Sequence, residues 1–357
     1  YPRTIGKDGK LKVTRKNDWT EGFYPGCLWY VYEYTNKEDW KKAAIKWTES
    51  LEPLKKMTNH HDIGFLMYCS FGNAYRLTGN EAYKDVLVES ARSLCTRFNE
   101  KTGCIKSWNY RKSWNGKDEW FYPVIIDNMM NLELLYFATK VTGDSVYAKV
   151  ANRHAETTAK NQFREDYSNY HVVNYDAETG EVLNQATCQG FSDNSAWARG
   201  QAWAIYGYTM AYRETHRQDF LDMAVHTADF WLNHPNLPED GIPYWDFNAG
   251  QEDYVPDWNY DPEIFKVVPR DASAAAIVAS AFLELSGYVT DGKKYSAAAA
   301  HILKSLSSPA YLAEPGTNCN FILMHSVGSI PHGEEIDVPL IYADYYYLEA
   351  LMRYKNM

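Results

Sequence analysis

Two aspartates stand in surroundings where a carboxyl group can be kept from water. Asp62 lies in Asn59-His60-His61-Asp62-Ile63-Gly64-Phe65, and Asp127 in Val124-Ile125-Ile126-Asp127-Asn128-Met129-Met130-Asn131. Each falls at or near a predicted helix start. Aspartate there caps the helix and the dipole holds it ionised, so capping alone accounts for the residue type. A catalytic proton donor needs the opposite: burial, or a second carboxylate nearby, to raise its pKa. The flanks of Asp127, Pro123-Val-Ile-Ile and Met-Met, provide for burial. A third stretch, Thr187 to Trp203 (TCQGFSDNSAWARGQAW), ends a long polar segment and opens an apolar helix. With a helix start near Ser195, Arg199 and Trp203 fall four apart on one face. A guanidinium offers a planar fork of donors to an anion, and an indole offers a flat apolar face. Together they suit a sugar ring bearing a carboxylate. Taken alone, the pair also fits an ordinary amphipathic helix with a surface Arg and a core Trp. His171, after Tyr167-Ser-Asn-Tyr170, and Gln189 read individually as satisfied polar residues.

The elements that must position these groups follow an internal repeat: a helix ends, a short turn follows, and an aromatic opens the next helix. It occurs at Tyr34 to Trp40, Leu77 to Tyr83, Val141 to Tyr147 and Val289 to Tyr295, with a degenerate copy at Glu214 to Phe220. Glycine at such a turn suits a left-handed C-cap, and Asn or Asp can cap the next helix. Apolar residues on both sides keep helical period, as in Leu66, Cys69, Phe71, Ala74 and Leu77, then Tyr83, Val86, Leu87, Ala91, Leu94 and Cys95. Five hairpins and a terminal helix, LIYADYYYLEALMRYKN, predict an all-α (α/α)6 barrel forming one catalytic domain over residues 1–357. An open helical solenoid is the alternative. Extended structure is expected only in loops such as Tyr170 to Val173. Long polar connections at 99–122, 161–194 and 234–270 would surround the barrel mouth, where loops of that length carry function.

Composition narrows the function. The net charge of −10 argues against nucleic-acid or anionic-membrane partners, and no apolar run reaches membrane-spanning length, which reads as a soluble protein. Twelve Trp and 29 Tyr exceed what a core requires and fit sugar-stacking clefts. The six cysteines form no C-x-x-C and no histidines take zinc spacing, so no metal or cofactor is implied. Cys27, Cys69 and Cys95 read as buried thiols. A nucleophile elbow and a glycine-rich phosphate loop are both lacking. A first residue of Tyr1 leaves bacterial periplasm and cytoplasm both open as compartments.

Taken together the motifs resemble the unsaturated glucuronyl hydrolases, glycoside hydrolase family 88. The resemblance is carried by Trp19-Thr-Glu-Gly-Phe23-Tyr-Pro-Gly-Cys-Leu-Trp29, His61-Asp62-Ile-Gly-Phe65, Ile126-Asp127-Asn128, Trp197-Ala-Arg199-Gly-Gln201-Ala-Trp203, and Gly333 through Tyr342 to Asp344. It implies the same barrel and an unusual reaction. Polysaccharide lyases leave a C4=C5 double bond in a terminal uronic acid, and this family hydrates that bond instead of attacking the anomeric carbon. The carboxylate-spacing rule of other glycosidases therefore does not apply. By resemblance, Asp127 is the general acid/base and Asp62 the second carboxylate, which holds sugar hydroxyls and keeps Asp127 protonated. The resemblance further implies that Arg199 and Gln189 place substrate and water, Trp203 stacks on the sugar and His171 hydrogen-bonds it. His61 and Trp108 complete the substrate-binding set, Trp108 as part of an aromatic wall. The partners implied are unsaturated uronic-acid disaccharides or oligosaccharides from glycosaminoglycans.

One departure concerns substrate. Family members that take sulfated disaccharides carry Arg before the Gln-Gly pair and a late Ser-x-x-Ser-x-Lys. This chain has Cys188, and Ser326-Val-Gly-Ser329-Ile-Pro331. Two cations are missing from that site, so weaker dependence on the sulfate recognised there is expected. The sister activity on unsaturated galacturonyl-rhamnose favours Gly-Arg-Gly-Asn-Gly-Trp over the Ala198-Arg-Gly-Gln-Ala-Trp203 found here. A sugar epimerase would want two histidines across the sugar, whereas His60 and His61 are adjacent. A non-catalytic uronate binder would not need both aspartates.

Overall fold

The computed structural model describes residues 1–15, 17–113 and 115–357. Helices come in antiparallel pairs whose first member lines the interior. The pairs are α1 (Phe23–Thr35) with α2 (Glu38–Glu49), and α3 (Ile63–Met67) and α4 (Asn73–Thr78) with α5 (Glu81–Cys95). These are followed by α6 (Leu132–Thr142) with α7 (Val146–Asn161), α8 (Ala198–Thr215) with α9 (Gln218–Asn233), and α10 (Ala272–Leu285) with α11 (Lys293–Leu306). The last inner helix is α12 (Ile341–Lys355). It packs on both α10 and α1, which closes the ring and excludes the open solenoid.

Side-chain distribution explains which helix goes where. Every residue of α10 except Glu284 is buried, so this helix is apolar all round and must be enclosed. In α11 the buried set is Tyr295, Ala299, Ile302, Leu303 and Leu306, one stripe facing inward. The turns follow the repeat closely. Asn36, Gly79, Gly143 and His216 close α1, α4, α6 and α8 in the left-handed conformation. The last turn differs: α10 ends at Leu285, and Gly292 is the N-cap of α11 with an ordinary helical φ of −63°. Tyr83, Tyr147, Phe220 and Tyr295 are buried in their hairpins, but Trp40 stays exposed. A π-helical turn, Tyr68–Gly72, interrupts the predicted continuous helix between α3 and α4.

Short strands build the rim, more than the sequence led us to expect. At the start of the chain β1 (Pro2–Ile5) pairs with β2 (Leu11–Val13). The 99–122 connection folds into two hairpins, β3 (Phe98–Asn99) with β4 (Cys104–Ile105) and β5 (Arg111–Lys112) with β6 (Glu119–Trp120). A three-stranded antiparallel sheet follows from β7 (Pro123–Ile125), β8 (Val172–Tyr175) and β9 (Val182–Ala186). Near the end β10 (Ser326–Ser329) pairs with β11 (Glu334–Val338). The central sheet matters most. It pairs Ile125 with Val172, and Ile126 N–H donates to His171 O at 3.1 Å, so Asp127 and His171 are brought together by register. These strands are too short for a period-2 signal to emerge from the sequence.

Two close approaches set the depth of the inner elements. A Cβ on Gly64 would lie 2.5 Å from both Cα and Oδ1 of Asn131, and one on Gly207 would lie 2.5 Å from Met129 Cβ. Gly64 thus lets the Asp62 segment rest against the 3-10 turn Ile126–Asn131 that bears Asp127. Gly64→Ala is expected to cost about 1–3 kcal/mol of stability through overpacking against backbone. The check is a lowered thermal midpoint together with reduced turnover; a variant matching wild type in both would contradict this packing.

Candidate active site

The inner helices all begin at the rim that carries the strands. Asp62 is the N-cap of α3, Asp127 sits in the 3-10 turn leading into α6, Arg199 lies in the first turn of α8, Asp271 caps α10 and Tyr342 opens α12. Side chains from these ends meet. Arg199 lies 5.4 Å from the Tyr342 ring centroid, Trp19 packs on Tyr342 at 4.9 Å, and Phe65 packs on Trp203 at 5.2 Å. Convergent helix N-termini favour an anionic ligand here.

Asp127 is 8% exposed, and its Oδ2 has no hydrogen-bond partner among the described residues. Burial pushes its carboxyl up to about 7. Arg199 pulls it down, Asp62 pushes it further up, and its own backbone N–H and the Trp203 indole N–H lower it. The indole faces the carboxyl without completing a full hydrogen bond, since Trp203 Nε1 is also unpartnered. His171 Nε2 is 3.6 Å from Asp127 Oδ2. His171 Nδ1 accepts two backbone N–H groups, from Cys188 at 3.0 Å and Gln189 at 3.2 Å. Burial, with Arg199 and Arg111 nearby, holds its pKa well below the usual range. The hydrogen bonds therefore assign a neutral ring with its proton on Nε2, directed at Asp127.

Asp62 has a matching arrangement. Its oxygens are 3.3 Å from His60 Nδ1 and 3.2 Å from His61 Nε2. Asn131 Nδ2 donates to His61 Nδ1 at 3.4 Å, which leaves the His61 proton on Nε2. Burial takes the His61 pKa down to about 4. Burial by itself would raise the Asp62 carboxyl, but His61 and His60 outweigh it and the net direction is down. The two aspartates are thus pushed apart: Asp62 toward the carboxylate, Asp127 toward the acid.

The other expected residues are placed less simply. Arg199 is buried, and its four Nη hydrogens all go to protein. Nη1 binds Asp271 Oδ2 at 3.1 Å and the Val327 carbonyl; Nη2 binds Gln189 Oε1 at 2.9 Å and Gly328 O at 2.7 Å. The fork expected to clamp a substrate anion is already engaged, so Arg199 supplies positive field and holds the Gln189 carbonyl, leaving the Gln189 NH2 for a ligand. Trp203 is a second correction. It is 0% exposed and packed by Phe65 and Tyr346, so its ring is not open to a sugar, and its N–H is directed at the Asp127 carboxyl. Trp108 fits an aromatic wall: half-buried, stacked on Trp120 at 6.2 Å and set edge-to-face with His171 at 6.1 Å.

Sequence reasoning missed Asp271, which reads as an N-cap and also pairs with Arg199, and Asn131, which orients His61. A cavity of about 140 Å³ beside the site is lined by residues including Arg111, Gln189, Arg199 and Tyr342. A larger one, about 820 Å³, lies at the opposite end of the ring, where Arg213 and Arg353 are paired with Glu133, Glu284 and Glu349. Among the described residues no group of three or more His, Cys, Asp or Glu side chains is placed to hold a metal, and no helix is long and apolar enough to cross a membrane.

The sequence profile of Glycosyl Hydrolase Family 88 matches residues 3–236. An unsaturated glucuronyl hydrolase of Formosa agariphila is 50% identical over 100% of this chain and 85% of its own length. An unsaturated chondroitin disaccharide hydrolase of Streptococcus agalactiae is 35% identical over 99% of this chain and 85% of its own. The crystal structure of an unsaturated glucuronyl hydrolase specific for heparin superposes with a TM-score of 0.92 at 48% identity, covering 100% of this chain and 91% of that one.

The raised Asp127 pKa has a sign that can be measured without substrate. The folded state holds this proton more tightly than the unfolded chain, so its stabilising effect is complete below the ordinary carboxyl pKa of 3.8 and is lost as pH rises through about 7. Asp127→Asn should therefore gain stability over wild type as pH is raised from 4 to 8, by up to about 4 kcal/mol. Paired thermal melts at the two pH values check this; a difference independent of pH would contradict the shift.

Proposed function

The chain belongs to glycosyl hydrolase family 88 and is a glycoside hydrolase acting on unsaturated glucuronyl groups, and from that premise we propose that Asp127 carries the chemistry of vinyl-ether hydration with Asp62 as its charged partner. The observation that carries this reading is the pair of opposed carboxyls: Asp127 buried with its pKa raised to about 7, and Asp62 held down by two histidines. A carbon atom accepts a proton slowly, so a positioned acid with a pKa near neutrality is what this reaction needs.

In this reading the described chain works as one catalytic domain. The unsaturated uronyl ring lies over Asp62 and Asp127 at the convergence of the inner helix ends. Protonated Asp127 gives its proton to C4, and positive charge develops at C5 and the ring oxygen. Water adds at C5 and loses a proton to the Asp127 carboxylate, which restores the acid. The hemiketal opens to a 5-keto sugar, and the hemiacetal left at C1 breaks to release the neighbouring sugar. His171, fixed as an Nε2–H donor, steadies the Asp127 carboxylate in the middle of the cycle. Gln189, oriented by Arg199, presents its NH2 to substrate or water, and Trp108 forms the wall. His61 holds Asp62. Trp203 steadies Asp127 through its N–H. The substrates are terminally unsaturated glycosaminoglycan disaccharides and oligosaccharides, and the likeness to a structure specific for heparin supports heparin-type sugars among those to try.

The test is the ultraviolet absorbance of the unsaturated uronate, followed with lyase-digested heparin, chondroitin sulfate and hyaluronan. Wild-type protein should bleach it on at least one of these. Asp127→Asn should slow the bleaching by about 10²–10⁴-fold while keeping most of its affinity. Equal rates for the two proteins would remove Asp127 from the mechanism. Bleaching only of a galacturonyl-rhamnose substrate would move the assignment to the sister activity.

A further inference from the structure

Glu335 places a carboxylate on the cavity that also holds Gln189, Arg199 and Tyr342. Its side chain is 6% exposed, and its backbone takes a left-handed φ of 54°. A residue other than glycine keeps that conformation only where its surroundings fix it. Two contacts do so. Gly328 leaves room for the side chain to lie across β10, since a Cβ there would be 2.6 Å from Glu335 Cβ. Arg3 then grips the carboxylate with two donors, Nε on Oε1 at 2.5 Å and Nη2 on Oε2 at 3.0 Å. Its Nη1 binds Asp18 at 2.6 Å. Burial works against the Arg3 charge, but Glu335 and Asp18 outweigh it and the pKa is raised.

This grip is not what attaches the first strand. Thr4 Oγ1 donates to Pro339 O at 2.6 Å and Thr4 pairs with Leu340, which ties β1 to the start of α12 without Arg3. What Arg3 adds is a counter-charge for Glu335. The other cations on the cavity are engaged differently. Arg199 is paired with Asp271, while Arg111 bonds His332 and has no carboxylate within ion-pair distance among the described residues. Glu334, the other carboxylate of the lining, is exposed to solvent. The substrate is itself an anion, because an unsaturated uronyl group carries a carboxylate. Released from Arg3, Glu335 would compete with that carboxylate for the field of Arg111 and Arg199, and would repel it across a cavity of about 140 Å³. Glu335 is near enough to act: burial lowers the Arg199 pKa, and Tyr342, Asp271, Asp127 and Glu335 together raise it.

We infer that Arg3 is a positioning residue for substrate binding: it holds the Glu335 carboxylate out of competition with the substrate's own. This rests on the proposed placement of the unsaturated uronyl ring at the inner helix ends. The first strand of the chain thereby sets the charge of a cleft whose wall, β10 and β11, comes from its last part. Arg3 touches neither substrate nor reacting atoms in this role; it acts through Glu335.

The test is a double-substitution cycle, read with whichever lyase-digested sugar (heparin, chondroitin sulfate or hyaluronan) the wild type turns over fastest. Arg3→Met should raise KM about tenfold and leave kcat within about twofold. Adding Glu335→Gln should return KM to near the wild-type value, since Asp18 stays bonded to Thr20. A clip that only joins β1 to β11 would behave otherwise: the thermal midpoint would fall, KM would hold, and the second substitution would restore nothing. An unchanged KM in Arg3→Met therefore overturns the inference, and so does a double variant no better than the single one. If Arg3→Met fails to fold, Arg3→Lys replaces it. A point charge in place of the fork should raise KM about threefold, and Glu335→Gln should again remove the rise; a rise that persists overturns the inference. Affinities from tryptophan fluorescence in the Asp127→Asn background should follow KM. If the wild type turns over none of the sugars, the proposed activity fails while these affinities still decide the role of Arg3; no binding of any sugar overturns both.

Discussion

The site depends on keeping one carboxyl group, that of Asp127, out of water at the place where the inner helices begin. Most of the polar surroundings oppose this. Helix N-termini, Arg199, the backbone N–H and the Trp203 N–H all favour the carboxylate. A helix end contributes about 0.3–1 kcal/mol, and about 2 in a partly buried setting. The net shift of the carboxyl from 3.8 to about 7 corresponds to about 4 kcal/mol in the other direction. Burial prevails, aided by Asp62, because the apolar flanks Ile125, Ile126, Met129 and Met130 are themselves enclosed. Had the carboxyl formed a full ion pair with Arg199, the balance would have tipped and the acid would be lost. Asp271 and the carbonyls of residues 327 and 328 prevent that by engaging the guanidinium first.

The two histidines beside the aspartates obey one rule. Each has Nδ1 occupied by donors, backbone N–H groups for His171 and the Asn131 amide for His61. Each is too buried to take a second proton readily. Both present Nε2–H to a carboxylate, so in the proposed mechanism the proton moves through Asp127 and not through either ring.

The two ends of the ring have opposite tasks. At the far end the inner helices finish, and Arg213 and Arg353 sit in their last turns, where cations suit the helix dipole. Glu133, Glu284 and Glu349 neutralise them, and Tyr30, Tyr206 and Ser280 donate to Glu349. Both cations there are paired within the protein. At the strand-bearing end, among the described residues, Arg111 stands without a counter-charge and Asp127 without a hydrogen bond at Oδ2.

Much of the fold was legible in the chain because helical period and turn chemistry are local. The hairpins from α1 to α9 end where the repeat places them, whereas α10 ends earlier, at Leu285, on a Ser286 that keeps a right-handed conformation. The apolar flanks of Asp127 also announced its burial. What the sequence withheld is which donors meet which acceptors. Arg199 looked like a free fork, yet it bonds carbonyls 128 and 129 residues away. Trp203 looked like a sugar platform, yet in the closed ring it is buried. Periodicity determines which side of a helix turns inward; only the closed ring decides whether a buried polar atom finds a partner, because that partner arrives from another part of the chain.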